Sequence, residues 1–225
     1  MSKAKKSLDS CAWWTATLFV LTILVSSCHR DCDTGNLPTI TITDKTKQYF
    51  SNFSEESFWE LENYSDTLDR DTLVLTNKTS GTNFLYAEKC PDGNYEFIKY
   101  KLISKISKDT LSANITTNKN IDTYSLQGKF HNLQFFCQFI LTKSTGQIWV
   151  NTTFGDTLQS YNTYSIKNKQ FNDVVKMTFT QLSPSYPNQA PTYFYSRNIG
   201  LIEFIVYDKV ASSKKIYWLK NYLIK

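Results

Sequence analysis

Apolar and polar residues alternate along most of this chain. In Glu96–Ile106, the residues Ile98, Tyr100, Leu102 and Ile106 share one face, and Lys99, Lys101 and Lys105 share the other. In Leu133–Leu141, every second residue from Leu133 is apolar, with Gln134 and Gln138 opposite. Val175, Met177 and Phe179 oppose Lys176, Thr178 and Thr180, and Ile216, Trp218, Tyr222 and Ile224 oppose Lys215 and Asn221. A period of two predicts half-buried strands. Strand-like runs centre near residues 40, 60, 74, 85, 100, 113, 126, 137, 149, 161, 177, 194, 204 and 219, and merging of neighbours leaves about ten strands. Short connections favour antiparallel meander pairing. The expected fold is all-β: an antiparallel meander curved into a half-barrel or barrel-like sheet. Ser54–Glu62 reads equally well as a short helical turn or as a turn leading into a strand at Phe58. Ser183–Pro191 holds three of the five prolines and reads as a loop, because proline cannot donate to a sheet ladder.

The N-terminus follows a different pattern. Lys3, Lys5 and Lys6 precede Ala12–Val25, which carries no charge, and small residues Ser26 and Ser27 lead to Cys28. A charged start, a short apolar run and a small-residue cut site describe an export signal. An uncleaved membrane helix would want about 20 apolar residues, and this run is shorter. The segment Val25-Ser26-Ser27-Cys28 resembles the lipobox of bacterial lipoproteins. That resemblance implies a diacylglycerol thioether and acyl chains such as palmitate on Cys28, and a location in the cell envelope at the outer membrane. The expected organisation is a lipoprotein signal over residues 1–27 with a signal helix, a tether over 28–38 and one β-domain over 39–225.

Composition agrees with strands. Aromatics make up 15% of the 225 residues, and such residues favour a pleated, half-buried surface. The formal charge is +5, and removing Lys3, Lys5, Lys6 and Asp9 leaves about +3, too mild and too scattered for a nucleic-acid partner. Sequons begin at Asn52, Asn63, Asn77, Asn114 and Asn151, as chance provides in a chain rich in Asn and Thr.

Candidate chemistry is sparse. Asp33-Thr34-Gly35 matches an aspartic-protease triplet, but that chemistry needs a second carboxylate in the same setting. Of two histidines, His29 adjoins Cys28, and His131 sits at an expected hairpin tip, where a lone histidine is ordinarily solvated. No nucleophile-elbow, zinc-protease or phosphate-loop motif occurs, so no catalytic residue, cofactor or metal is expected. Once Cys11 leaves and Cys28 is lipidated, Cys32, Cys90 and Cys137 remain. A Cys90–Cys137 disulfide, a Cys32–Cys90 disulfide and free thiols all fit an oxidising compartment. Glu60, Glu62, Glu96 and Glu203 lie in expected strands, where a facing pair could serve glycan chemistry, and Trp149 and Tyr161 could stack on sugars. Asp-Thr-Leu recurs at Asp66, Asp71, Asp109 and Asp156, each read as a turn aspartate before a strand.

Tyr49-Phe50, Ser57-Phe58-Trp59-Glu60-Leu61 and Asp71-Thr72-Leu73-Val74-Leu75 resemble the opening of small lipoproteins of Bacteroidota type. The stretch Tyr193–Phe204, with its Ile199-Gly200-Leu201-Ile202 turn, and Tyr217–Tyr222 resemble their closing strands. The likeness implies a curved antiparallel sheet similar to lipoprotein carriers of the LolA type, without the helices that close those cavities. It transfers no activity and no site residues. The expectation is therefore a non-enzymatic envelope lipoprotein that binds an apolar small ligand or an envelope protein. The alternatives are an assembly subunit using its sheet edges or a glycan-active enzyme.

Overall fold

The computed structural model describes residues 36–87, 90–131, 133–149, 156–179, 191–208 and 213–225. They fall into two compact units, Met1–Leu37 with Tyr86–Asp92 and Pro38–Leu85 with Gly93–Lys225. In the smaller unit, Asn36 is a turn residue, and Tyr86, Ala87 and Cys90–Asp92 are strand residues. The expected export signal, Cys28, His29, Cys32, the Asp33 triplet and residues 183–190 of the expected loop lie outside the described residues.

The larger unit carries the fold. The strands are β1 (Thr39–Ile40), β2 (Phe58–Asn63), β3 (Arg70–Ala87), β4 (Cys90–Ser104), β5 (Thr110–Thr117), β6 (Ile121–Phe130) and β7 (Leu133–Thr142). They continue with β8 (Gln147–Trp149), β9 (Thr157–Ile166), β10 (Lys169–Thr178), β11 (Thr192–Ser196), β12 (Gly200–Asp208) and β13 (Ser213–Leu223). One helix, α1 (Asp44–Phe50), lies between β1 and β2. The sheet order is β8-β7-β6-β5-β4-β3-β2-β13-β12-β11-β10-β9, with β1 alongside β4. Apart from β1, neighbours in space are neighbours in sequence everywhere except β2 and β13. That antiparallel pair joins the first and last strands of the meander, and the sheet nearly closes into a barrel. The fold is all-β, as the alternation predicts.

Alternation decides what fills the barrel. From β5 to β7, inward positions carry Leu111, Ala113, Ile115, Tyr124, Leu126, Phe130, Phe135, Cys137 and Phe139, all nearly inaccessible. Helix α1 adds Phe50 from within. Its ring stacks on Tyr124 at 4.2 Å and on Phe139 at 5.4 Å and meets Tyr195 edge-on at 5.1 Å. Further along, Phe130, Phe135, Phe204 and Tyr217 form a second group of rings. The void bounded by Phe53, Trp59, Tyr100, Tyr124 and Tyr195 measures about 20 Å³. That is room for about one water molecule and too little for an apolar ligand.

The helix is present where the alternation gave no helical period. Thr43 caps it, accepting from the Thr46 amide at 3.3 Å, and Asp44 occupies the first turn, where a negative charge suits the helix dipole. Asp122, at the start of β6, holds that end. Its Oδ2 accepts from the Thr43 amide at 2.9 Å and from the Thr43 and Thr46 hydroxyls at 2.7 and 2.8 Å. Residues 55 and 56 form the turn before Phe58, so of the two readings of Ser54–Glu62 the turn into a strand is the observed one. In β13 the expected facing changes. Tyr217 and Leu219 point into the core, Trp218 takes Lys167 over its ring on the outer side, and a register shift between Leu219 and Asn221 separates this stretch from Tyr222. Ile106 lies beyond the end of β4 and is exposed.

Gly200 opens β12 with φ +88°, a conformation that a Cβ disfavours. A Cβ there would also lie 3.3 Å from the Phe53 ring. Gly200→Val should therefore cost about 2–4 kcal/mol from strain and crowding, seen as a melting temperature lower by several degrees. An unchanged melt would refute this account of the turn.

Candidate functional site

The packed interior leaves the outside of the barrel and its open seam as places for chemistry or binding. The seam lies between β8 and β9, the two strands that end the sheet order. Beside it is a cleft of about 610 Å³ lined by Lys45, Tyr49, Gly146, Ile148, Leu158, Tyr161, Asp173, Val174 and Val175, among others. Its rim is polar. Lys45 donates to the Gly146 carbonyl at 2.7 Å, and Asp173 accepts from Arg197 at 3.4 Å. Burial pushes the Tyr49 hydroxyl above its ordinary value, and the Asp173 charge adds to the shift.

β9 reads Thr-Leu-Gln-Ser-Tyr-Asn-Thr-Tyr-Ser-Ile and contains no charged residue, proline or glycine. Edge strands ordinarily carry such residues to prevent pairing with another chain. Among the described residues β9 pairs with β10 along one side, and its other side is unpaired. Most of its side chains are exposed, as an edge strand requires. Tyr161 lines the cleft and donates to Gln159 at 2.8 Å. The side chain of Trp149 lies outside the described residues.

Each of the four glutamates proposed for glycan chemistry is engaged by another group. Glu60 lies 4.0 Å from Arg70. Glu62 is buried and paired with Lys167 and Lys220. Glu96 accepts from the Ile42 amide at 2.8 Å and pairs with Lys47 at 2.9 Å, which fixes the chain before α1. Glu203 is buried on the outer side of β12, accepting from Tyr164 at 2.7 Å. Burial raises its carboxyl, and the Tyr164 bond and nearby Lys214 and Lys176 oppose that rise.

Two carboxylates do approach one another, around His131. Its Nδ1 lies 3.0 Å from Asp69 Oδ1 and its Nε2 lies 3.0 Å from Asp71 Oδ2. Asp71 also accepts from the Ser104 hydroxyl and from the amides of Thr72, Ile106 and Ser107. Burial raises the Asp71 carboxyl, but these hydrogen bonds outweigh it and hold the group at about 2. Asp69 is also lowered: burial opposes the shift, and hydrogen bonds from Asn63 and Tyr217 with the His131 charge prevail. So His131 is not a solvated hairpin histidine. The β2–β3 turn brings two aspartates to it, and both ring nitrogens are committed to them, which ties the β6–β7 tip to β3 and to the β4–β5 turn. Among the described residues no group of three or more His, Cys, Asp or Glu side chains is arranged to hold a metal ion.

Cys137 is a free thiol, buried in β7 with its sulfur 3.8 Å from the Tyr195 hydroxyl. Burial pushes it up to about 12, so at neutral pH it stays protonated and unreactive. The side chain of Cys90, its partner in one of the pairings considered, lies outside the described residues. No helix among the described residues is long and apolar enough to cross a membrane.

Comparison with known proteins returns no matching family model, no matching curated protein and no matching solved structure.

Proposed function

We propose that this chain is an envelope lipoprotein, tethered through lipid on Cys28, whose barrel binds a partner protein at the β8–β9 seam without catalysing a reaction. The observation that carries the reading is the seam: a ten-residue edge strand without charge beside an open cleft. An extended partner segment would add a strand to β9 through main-chain hydrogen bonds, and its alternate side chains would enter the cleft over Leu158, Ile148 and Val175. The void of about 20 Å³ in the barrel supports an external partner over an apolar ligand held inside. The signal and lipobox support the address, since a lipid tether holds the domain at a membrane surface where such partners reside.

The test is made in producing cells. Labelled palmitate should enter the full chain and be lost from Cys28→Ala. A photoreactive residue at Gln159 on the edge should give a defined crosslinked species. The same probe at Thr116, on β5 within the sheet, should not. Ser160→Lys, which places a charge at the seam, should abolish the crosslink and leave the thermal melt unchanged. Label retained on Cys28→Ala would overturn the tether. Identical species from both probe positions, or a crosslink that survives Ser160→Lys, would overturn the seam as the docking site.

A further inference from the structure

A second concave surface lies on the outer face of β3–β6 and shares no residue with the seam. It is a groove of about 450 Å³ lined by Asn77, Thr79, Lys99, Lys101, Ser112, Asn114, Ser125 and Gln127 with parts of Tyr100 and Ala113. Strand register sets the polar residues in two rows. Lys99 stands beside Asn114 and Ser125, and Lys101 stands beside Ser112 and Gln127. The second row continues to Phe136 on β7, whose ring is 41% exposed. Alternation explains the surface, because these are the outward positions of strands whose inward positions form the core.

Three features restrict the ligand. The groove contains two lysines and no carboxylate, and neither lysine is ion-paired among the described residues; Lys99 rests over the Phe97 ring at 5.3 Å. The lining otherwise offers amides and hydroxyls, which donate and accept at short range. Asn114 belongs to this lining, and its Oδ1 is buried without a hydrogen-bond partner.

We infer that this groove binds a carboxylated carbohydrate. Sugar hydroxyls exchange hydrogen bonds with the amides of Asn114 and Gln127, the ammonium groups of Lys99 and Lys101 meet the carboxylates, and the apolar face of a ring packs on Phe136. A neutral sugar leaves the lysines unmatched, and a bare polyanion leaves the amides and Phe136 unused.

The experiment measures binding calorimetrically with the full chain in detergent and three probes: a hexamer of galacturonate, cellohexaose as its neutral counterpart, and inorganic polyphosphate. The galacturonate hexamer should bind at least tenfold more tightly than cellohexaose, and polyphosphate should not displace it. The double variant Lys99→Gln, Lys101→Gln should weaken binding at least tenfold, and Asn114→Ala severalfold, with unchanged thermal melts. Absence of galacturonate binding, equal binding of cellohexaose, displacement by polyphosphate, or wild-type affinity in the double variant would each overturn the assignment. The seam plays no part in this binding, so Ser160→Lys should bind the hexamer as the wild type does.

Discussion

Asp71→Ala should be among the most damaging single substitutions in the barrel, costing about 3–5 kcal/mol, because it strips the partner from a cluster of buried donors. The Ser104 hydroxyl, the amides of Thr72, Ile106 and Ser107, and His131 Nε2 all point at this one carboxylate, whose side chain has no exposed surface. Asn at this position keeps the shape and one acceptor oxygen but loses the charge facing His131, so Asp71→Asn should cost less than alanine. The carboxyl also predicts an acid limb. Its folded-state value of about 2 lies below the ordinary 3.8, so its contribution to stability is complete above about pH 4. That contribution is lost as pH falls from about 4 toward 2, in an amount of about 1–2 kcal/mol. Asp69 shifts in the same direction and adds to the same limb. Urea unfolding at pH 7 and at pH 3 checks both statements. An Asp71→Asn variant whose stability falls between those pH values as steeply as the wild type would place the acid sensitivity elsewhere.

The strand layout was legible because period-two alternation is a local signal. Each of the fourteen expected strand centres falls within an observed strand, with the centres near 74 and 85 merging in β3. What alternation does not encode is which face is buried when both carry aromatics. Tyr217 and Trp218 are adjacent and both buried, one among the core rings and one against Lys167. Helix α1 escaped because seven residues make two turns, too few for a 3.6 period to show. Thr43 and Asp44 were nevertheless a readable cap and first-turn acid, and Tyr49-Phe50 supplied the buried side.

The polar clusters were not legible, for a reason seen in the four Asp-Thr-Leu triplets. Asp66 does what turn chemistry predicts, accepting from the Leu68 amide two residues on. Asp71, in an identical triplet, is buried and bound to Ser104, Ser107 and His131, which stand 33, 36 and 60 residues away. Nothing local separates the two. The seam sits between these cases. That β8 and β9 end the sheet depends on the β2–β13 closure, which no local pattern reveals. The absence of charge along Thr157–Ile166 is in the sequence itself, and it is the signal that could have marked β9 as an edge open to pairing.

Phe50→Ala tests how far the ring of Phe50 is what fills the barrel interior. Phe50 is the apolar end of α1, 1% exposed, in ring contact with Tyr124, Phe139 and Tyr195. Truncation removes those contacts and leaves a void that rigid strands on all sides collapse poorly around. The expected loss is about 3–5 kcal/mol. The helix should stay in place, because the bonds from Thr43 and Thr46 to Asp122 are untouched. The void then adjoins the space bounded by Tyr124 and Tyr195, and a dry, ring-lined cavity of that kind takes up small apolar molecules. Benzene should therefore raise the melting temperature of Phe50→Ala and leave the wild type unmoved. If benzene stabilised the wild type as well, the interior would hold accessible space, and an apolar ligand inside the barrel would displace the seam as the centre of its function.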